Sequence, residues 1–207
     1  MEIFDAVFVI AVIIMSAVVH EVMHGVAADK LGDPTARLMG RLTLNPLPHL
    51  DPFGSVFLPA ILALTNSPLF FGWAKPVPYN PYNLGGGRFG EAIVAAAGPL
   101  SNLAIALFFA IIIRFAFFPA LQSIFFIIVL VNVMLFLFNL IPIPPLDGSK
   151  VLASILPRSL AVPYDRIRAQ LEMNPFLGFG IVLLFVIGLG GALGSAVYAI
   201  AQALAGV

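Results

Sequence analysis

The chain has 207 residues, of which 61% are hydrophobic and 10% charged, with a mean hydropathy of +1.07. About a quarter of the residues of a water-soluble domain are charged, so this composition excludes one and makes lipid the solvent to reason with. Ten basic against ten acidic residues leave no net charge and no electrostatic case for nucleic acid, while the absence of cysteine excludes disulfides and thiolate zinc sites.

At the N-terminus, Glu2 and Asp5 stand where a signal peptide would be basic, and no small-residue cleavage site follows, so no cleaved leader is expected. About 20 apolar residues cross a hydrocarbon core of roughly 30 Å. On that rule the first crossing runs from about Ile3 to Leu31 and stops at Gly32, Asp33 and Pro34. The stretch from Phe53 to Thr65 is apolar but short, and is expected to be a short or re-entrant segment. Asn66 to Gly87 is dense in Pro, Gly, Asn and aromatics and reads as a loop or small hairpin at the membrane interface, with Trp73, Tyr79 and Tyr82 suited to that place. GGGR at Gly85 to Arg88 lacks the lysine of a phosphate loop and reads as a flexible linker. A second crossing runs from about Glu91 to Ile113. The third follows Phe118-Pro119, reaches about Leu140 and breaks on IPIPPLDG. The fourth, about Pro175 to Ala205, is rich in the small residues that let membrane helices pack closely. The expected fold is an all-α polytopic membrane protein of about four full transmembrane helices in a single domain, with the lipid bilayer itself as its surroundings.

Nine of the ten basic residues fall after the first or the third crossing, and only Arg114 falls elsewhere. The positive-inside rule then puts both large loops in the cytoplasm and both termini outside. His20, deep in a helix entered from outside at about 1.5 Å per residue, comes to lie nearer the cytoplasmic face, at the depth where the third crossing breaks.

His20-Glu21-Val22-Met23-His24 is the pattern H-E-x-x-H. On a helix, histidines at i and i+4 share a face and can bind one zinc ion. Glu21, beside them, can take a proton from water activated by the metal and pass it to a leaving amine. Polar side chains in a membrane helix are costly, by at least about 2.5 kcal/mol each for charged ones at its centre, and metal binding compensates that cost. The plain alternative is a buried hydrogen-bond network or a helix end at the interface. A catalytic zinc also needs a third protein ligand and an open position. Candidates are Asp147 in NLIPIPPLDGSK and His49 or Asp51 in NPLPHLDPFG. Asp147 is preferred because the third crossing breaks there on a proline run, although an Asp-Gly pair alone would read as a turn.

HEVMHG, NPLPHLDPFG, GWAKPVPYNP, AGPLSN and NLIPIPPLDG, in this order over Val18 to about Val151, resemble the site-2 protease family of intramembrane zinc metalloproteases, in its minimal prokaryotic branch. The resemblance implies one zinc per chain on His20, His24 and Asp147, with Glu21 as general base. It further implies a three-helix catalytic core over about residues 3–151, with 175–205 as an accessory helix. The substrate it implies is the transmembrane segment of another protein. Asn139 is a candidate donor to the oxyanion, with helix packing as its alternative; Asn102 is a second candidate on the same terms. His49 and Asp51 are expected to position rather than ligate, and GWAKPVPYNP to pair with an unwound substrate. No insertion large enough for a PDZ domain and no nucleotide-sensing extension is expected. Two other readings remain: a catalytically silent relative that binds membrane helices, disfavoured because the metal set and base are both present, and a metal transporter, disfavoured because the outer halves of the spans carry few polar groups beyond Asn102 and Asn132.

Overall fold

A computed structural model of the chain describes residues 3–51, 54, 57, 61 and 74–207. Six helices carry the architecture: α1 (Ile3–Lys30), α2 (Gly90–Arg114), α3 (Gln122–Asn139), α4 (Asp147–Ile155), α5 (Arg158–Met173) and α6 (Pro175–Ala205). Lipid offers no partner to an exposed amide, so the apolar runs satisfy their backbone internally as helices. α1, α2, α3 and α6 are each long and apolar enough to cross a membrane, which makes this a multi-pass helical membrane protein. The spans expected from hydropathy agree with these helices to within about two residues at each end, the usual uncertainty of helix boundaries.

α2 is the central post, packing against α1, α3, α4 and α6. Its small residues permit this: Ala106 and Ala110 are buried with Val129 and Val133 of α3 and Val197, Ala201 and Ala205 of α6. This apolar cluster occupies the half of the bundle away from His20, whose neighbours on α2 are one to three turns earlier. At the far end Arg114 donates to the carbonyl oxygens of Ala203 and Leu204, both at 3.3 Å, and so satisfies groups left open at the end of α6.

The two basic loops meet at the opposite end. Arg168 of α5 grips Glu91 of α2 with two bonds, at 2.8 and 3.2 Å, and Arg88 donates to the Leu156 carbonyl. α4, α5 and the loop before α2 therefore share one end of the bundle.

One expectation about that end needs correction. GGGR is not a loose linker: Gly85 donates to the Leu31 carbonyl, Gly86 and Gly87 adopt φ of 83° and 55°, and residues 87–89 form a 3-10 turn. Glycine is there because left-handed backbone is required. The loop or hairpin expected over Asn66 to Gly87 falls partly outside the described residues. Asn66 to Trp73 lies outside the described residues, as does the segment from Phe53 to Thr65 except for 54, 57 and 61; residues 74–80 form neither helix nor strand. Pro76 and Pro78 have no N–H to give, and Lys75, Val77 and Asn80 donate to His49, Glu21 and Asp33.

Candidate metal centre

His20 and His24 lie one turn apart on α1, so their rings project to the same side, with centroids 4.6 Å apart and planes at 87°. Asp147 reaches them from the first turn of α4. Its Oδ2 lies 3.1 Å from His20 Nε2 and 3.2 Å from His24 Nε2, and the two Nε2 atoms are 3.0 Å apart. Three ligand atoms thus form a triangle with edges of 3.0–3.2 Å. With bonds of about 2.0–2.2 Å, a tetrahedral zinc site has edges of roughly 3.3 Å. Among the described residues this is the group of histidine and carboxylate side chains able to hold a metal ion.

Hydrogen bonding shows which ring atoms face the triangle. His24 Nδ1 lies 2.7 Å from the Val94 carbonyl, which can only accept, so Nδ1 carries the hydrogen. His20 Nδ1 donates to Asn102 Oδ1 at 2.7 Å. Asn102 is oriented in turn, since its amide nitrogen donates to Asn132 Oδ1 at 2.9 Å and to the Ser16 carbonyl at 3.3 Å, while Asn132 donates to Ser16 Oγ at 3.0 Å. With Nδ1 engaged in both rings, the two Nε2 atoms face each other and a carboxylate oxygen. Three acceptors at this spacing repel unless a cation lies between them, and two imidazoles with one carboxylate suit zinc. The donor set fits the metal that the sequence pattern suggested.

Two glycines make room for it. A Cβ on Gly98 of α2 would stand 2.5 Å from His24 Nε2 and 2.6 Å from His20 Nε2, so the second span approaches the rings only because it has no side chain there. A Cβ on Gly148 would stand 2.2 Å from the Leu140 carbonyl oxygen, so the glycine after Asp147 lets α4 fold back onto the end of α3.

Around the triangle lies a cavity of about 180 Å³, lined by Glu21, Val77, Tyr79, Asn139 and Lys150 as well as by the three side chains of the triangle. Glu21 accepts the Val77 N–H at 2.8 Å. Asn139 lines the cavity, with its amide nitrogen donating to Leu135 O at 2.9 Å. Asn102 does not reach it: fully buried behind His20, it spends its donors on Asn132 and Ser16, so the expected oxyanion role is replaced by that of orienting a histidine. His49 is buried in the loop and donates from Nε2 to the Thr43 carbonyl, while Asp51 accepts the Gly54 N–H, so neither joins the triangle. Sequence reading missed Lys150, which stands over the Tyr79 ring at 5.3 Å from its centroid. Burial alone would lower the Lys150 ammonium, but Tyr79 and Asp147 outweigh it and keep it above its ordinary value; burial pushes the Tyr79 phenol up. Proximity of Lys150 to the Asp-Gly pair, three residues before it, was the available signal.

The sequence profile of Peptidase family M50 matches residues 115–186. A Bacillus subtilis protein named "Putative zinc metalloprotease YwhC" is 38% identical over 194 residues, covering 88% of this chain and 82% of the relative. Proteins named "Putative zinc metalloprotease Rip2" from Mycolicibacterium smegmatis and Mycobacterium tuberculosis are 32% and 29% identical over 146 and 184 residues. They are covered over 54% and 66% of their own lengths, against 69% and 87% of this chain. No solved structure matches the chain significantly.

Proposed function

Because the chain belongs to peptidase family M50, a family of zinc metalloproteases, we propose that it hydrolyses peptide bonds within or near the transmembrane segments of other membrane proteins. The observation that carries this reading is the triangle of His20, His24 and Asp147 beside Glu21, in one cavity at the end of a membrane-spanning bundle. His20, His24 and Asp147 hold one zinc ion per chain in this reading. When bound, zinc polarises a scissile carbonyl and brings the pKa of water toward about 7. Glu21 takes a proton from the attacking water as its oxygen bonds to the carbonyl carbon, then delivers that proton to the amide nitrogen as the C–N bond breaks. Asn139 keeps a second amide hydrogen beyond the one given to Leu135, and offers it to the oxyanion. Asn102 and Val94 keep both Nδ1 atoms protonated, so that Nε2 stays available for the metal.

We read residues 3–151 as the catalytic core and 175–205 as an accessory helix. The two basic loops share one end of the bundle, and the excess of arginine and lysine there supports a cytoplasmic position for it, with the active site nearer that face. Substrates on this reading are membrane-anchored regulators or remnants of signal peptides.

Zinc per chain, measured on detergent-purified wild type and on the Asp147→Ala, His49→Ala and Glu21→Gln variants, tests the assignment together with cleavage of reconstituted single-span peptides. One zinc in wild type, its loss in Asp147→Ala, and metal without cleavage in Glu21→Gln are expected. Zinc kept by Asp147→Ala but lost from His49→Ala overturns the ligand set, and no zinc in any variant overturns the protease reading.

A further inference from the structure

Glu21 does not stand free in the cavity: its Oε2 is bound to the backbone N–H of Val77 at 2.8 Å. Val77 belongs to the segment 74–80, which is neither helix nor strand. The Lys75 and Asn80 N–H groups tie that segment to His49 and Asp33, and between these ties Arg41 grips it through Nη2, which donates to the carbonyl oxygens of Lys75 at 2.9 Å and Pro76 at 3.3 Å. The Pro76 carbonyl and the Val77 N–H are the two ends of one peptide group. Arg41 grips its oxygen and Glu21 accepts from its nitrogen, so a positive charge and a negative charge are joined head to tail through a single amide dipole. Such chains polarise and strengthen one another in a low-dielectric interior.

Burial gives this arrangement its significance. Arg41 is 7% exposed and Val77 4% exposed, and no carboxylate pairs with Arg41 among the described residues. An arginine withdrawn from water without a counter-ion is costly, and here Nη2 is spent on the backbone next to Glu21 while the buried Nε has no partner among the described residues. The sequence also provides a seat for Val77 one turn after Glu21. A Cβ on Gly25 would stand 2.8 Å from Val77 Cγ1 and 2.6 Å from Leu42 Cδ2, so only a bare backbone at that point lets Val77 lie close enough to reach the carboxylate.

We infer that Arg41 is a positioning residue for Glu21, clamping the Pro76–Val77 peptide so that one carboxylate oxygen is tied down and the other is aimed into the cavity, with Gly25 as the seat of the clamp. The inference rests on the reading of Glu21 as the general base. A displacement of about 1 Å in a catalytic group costs on the order of 100-fold in rate, so loss of the clamp acts on kcat.

The test uses full-length protein in liposomes, with the best-cleaved member of a set of labelled single-span peptides. Arg41→Ala is expected to lower kcat by roughly 100-fold with KM and bound zinc unchanged, and Arg41→Lys, which keeps a donor, to restore much of it; Gly25→Ala repeats the loss by pushing Val77 away. Arg37→Ala, which removes a guanidinium paired with Asp29 at the surface, leaves kcat as it was. A second readout does not depend on cleavage. Since the chain has no cysteine, Val77→Cys introduces a single buried thiol, and its reaction with a small maleimide should quicken by about tenfold when Arg41→Ala opens the segment. Unchanged kcat with an unchanged labelling rate overturns the clamp, as does a loss of kcat that always comes with loss of zinc, because Arg41 would then support the whole site. If wild type binds zinc and cleaves no peptide, the protease reading falls, while the labelling rates still decide whether Arg41 holds the segment.

Discussion

Asn102 shows how much of the candidate site depends on single atoms. Its side-chain oxygen accepts from His20, and its nitrogen is committed to Asn132 and Ser16. Replacing Asn102 by Leu keeps the volume but removes the acceptor, and partners of this kind are worth about 10–100-fold in metal affinity. Zinc competition with a chelator should show a loss of that size with the protein still folded. Gly98→Ala is expected to do more, since its methyl group would contact both imidazoles; the same titration should find no tight zinc at all. Asp33 gives a residue-scale prediction about pH. It is fully buried beyond the end of α1, and burial pushes its carboxyl up, but bonds from Thr35, Asn83 and the Asn80 N–H outweigh burial and hold it below its ordinary value of 3.8. The folded state thus binds the proton less readily than the unfolded one. Its stabilising contribution is present above the unfolded pKa and is lost as pH falls through about 4 and below. Melting temperatures measured down the acid range should fall more steeply for wild type than for Asp33→Asn, which has no such proton to bind.

Among the elements, α4 is the one whose position decides whether Asp147 meets the histidines. Gly148→Ala would set a methyl group 2.2 Å from the Leu140 oxygen, and overpacking of this kind costs about 1–3 kcal/mol. A lowered melting temperature together with lost zinc is the expected result, whereas an exposed change on α6 such as Ile187→Ala should leave both alone. The elements differ in how legible they were. The four spans could be read from composition because lipid demands a long apolar run and lets little else cross. H-E-x-x-H and the Asp-Gly pair could be read because both spacing and residue type are chemically specific. The stretch between α1 and α2 could not, since its shape is fixed by bonds across long separations: Asp33 to Asn80 and Asn83, Arg41 to Lys75 and Pro76, Glu21 to Val77. No local pattern announces such bonds, and the glycines taken for a linker turn out to be there for their backbone angles. Asn102 was noticed for the wrong reason, because its partner His20 lies 82 positions earlier in the chain.

At the scale of the whole molecule, the two basic loops are bound to each other at one end through Glu91, Arg168 and Arg88, and the C-terminal end of α6 meets Arg114 at the other. If the basic end faces the cytoplasm, a membrane-impermeant thiol reagent added to intact cells should label a cysteine placed at Val207 and spare one placed at Arg166; the opposite result reverses the orientation. The separation of Asp147 from the histidines along the chain has a further consequence, which concerns synthesis. The first span enters the bilayer with both imidazoles in place, but their third partner is 123 residues behind His24 (147 − 24) and must wait for two more crossings and the fold back onto Leu140. A nascent chain therefore lacks the complete triangle of His20, His24 and Asp147 until its third crossing is in place. On the proposed reading as a protease, no hydrolysis is possible before that point, so the order of translation itself keeps a half-built site silent.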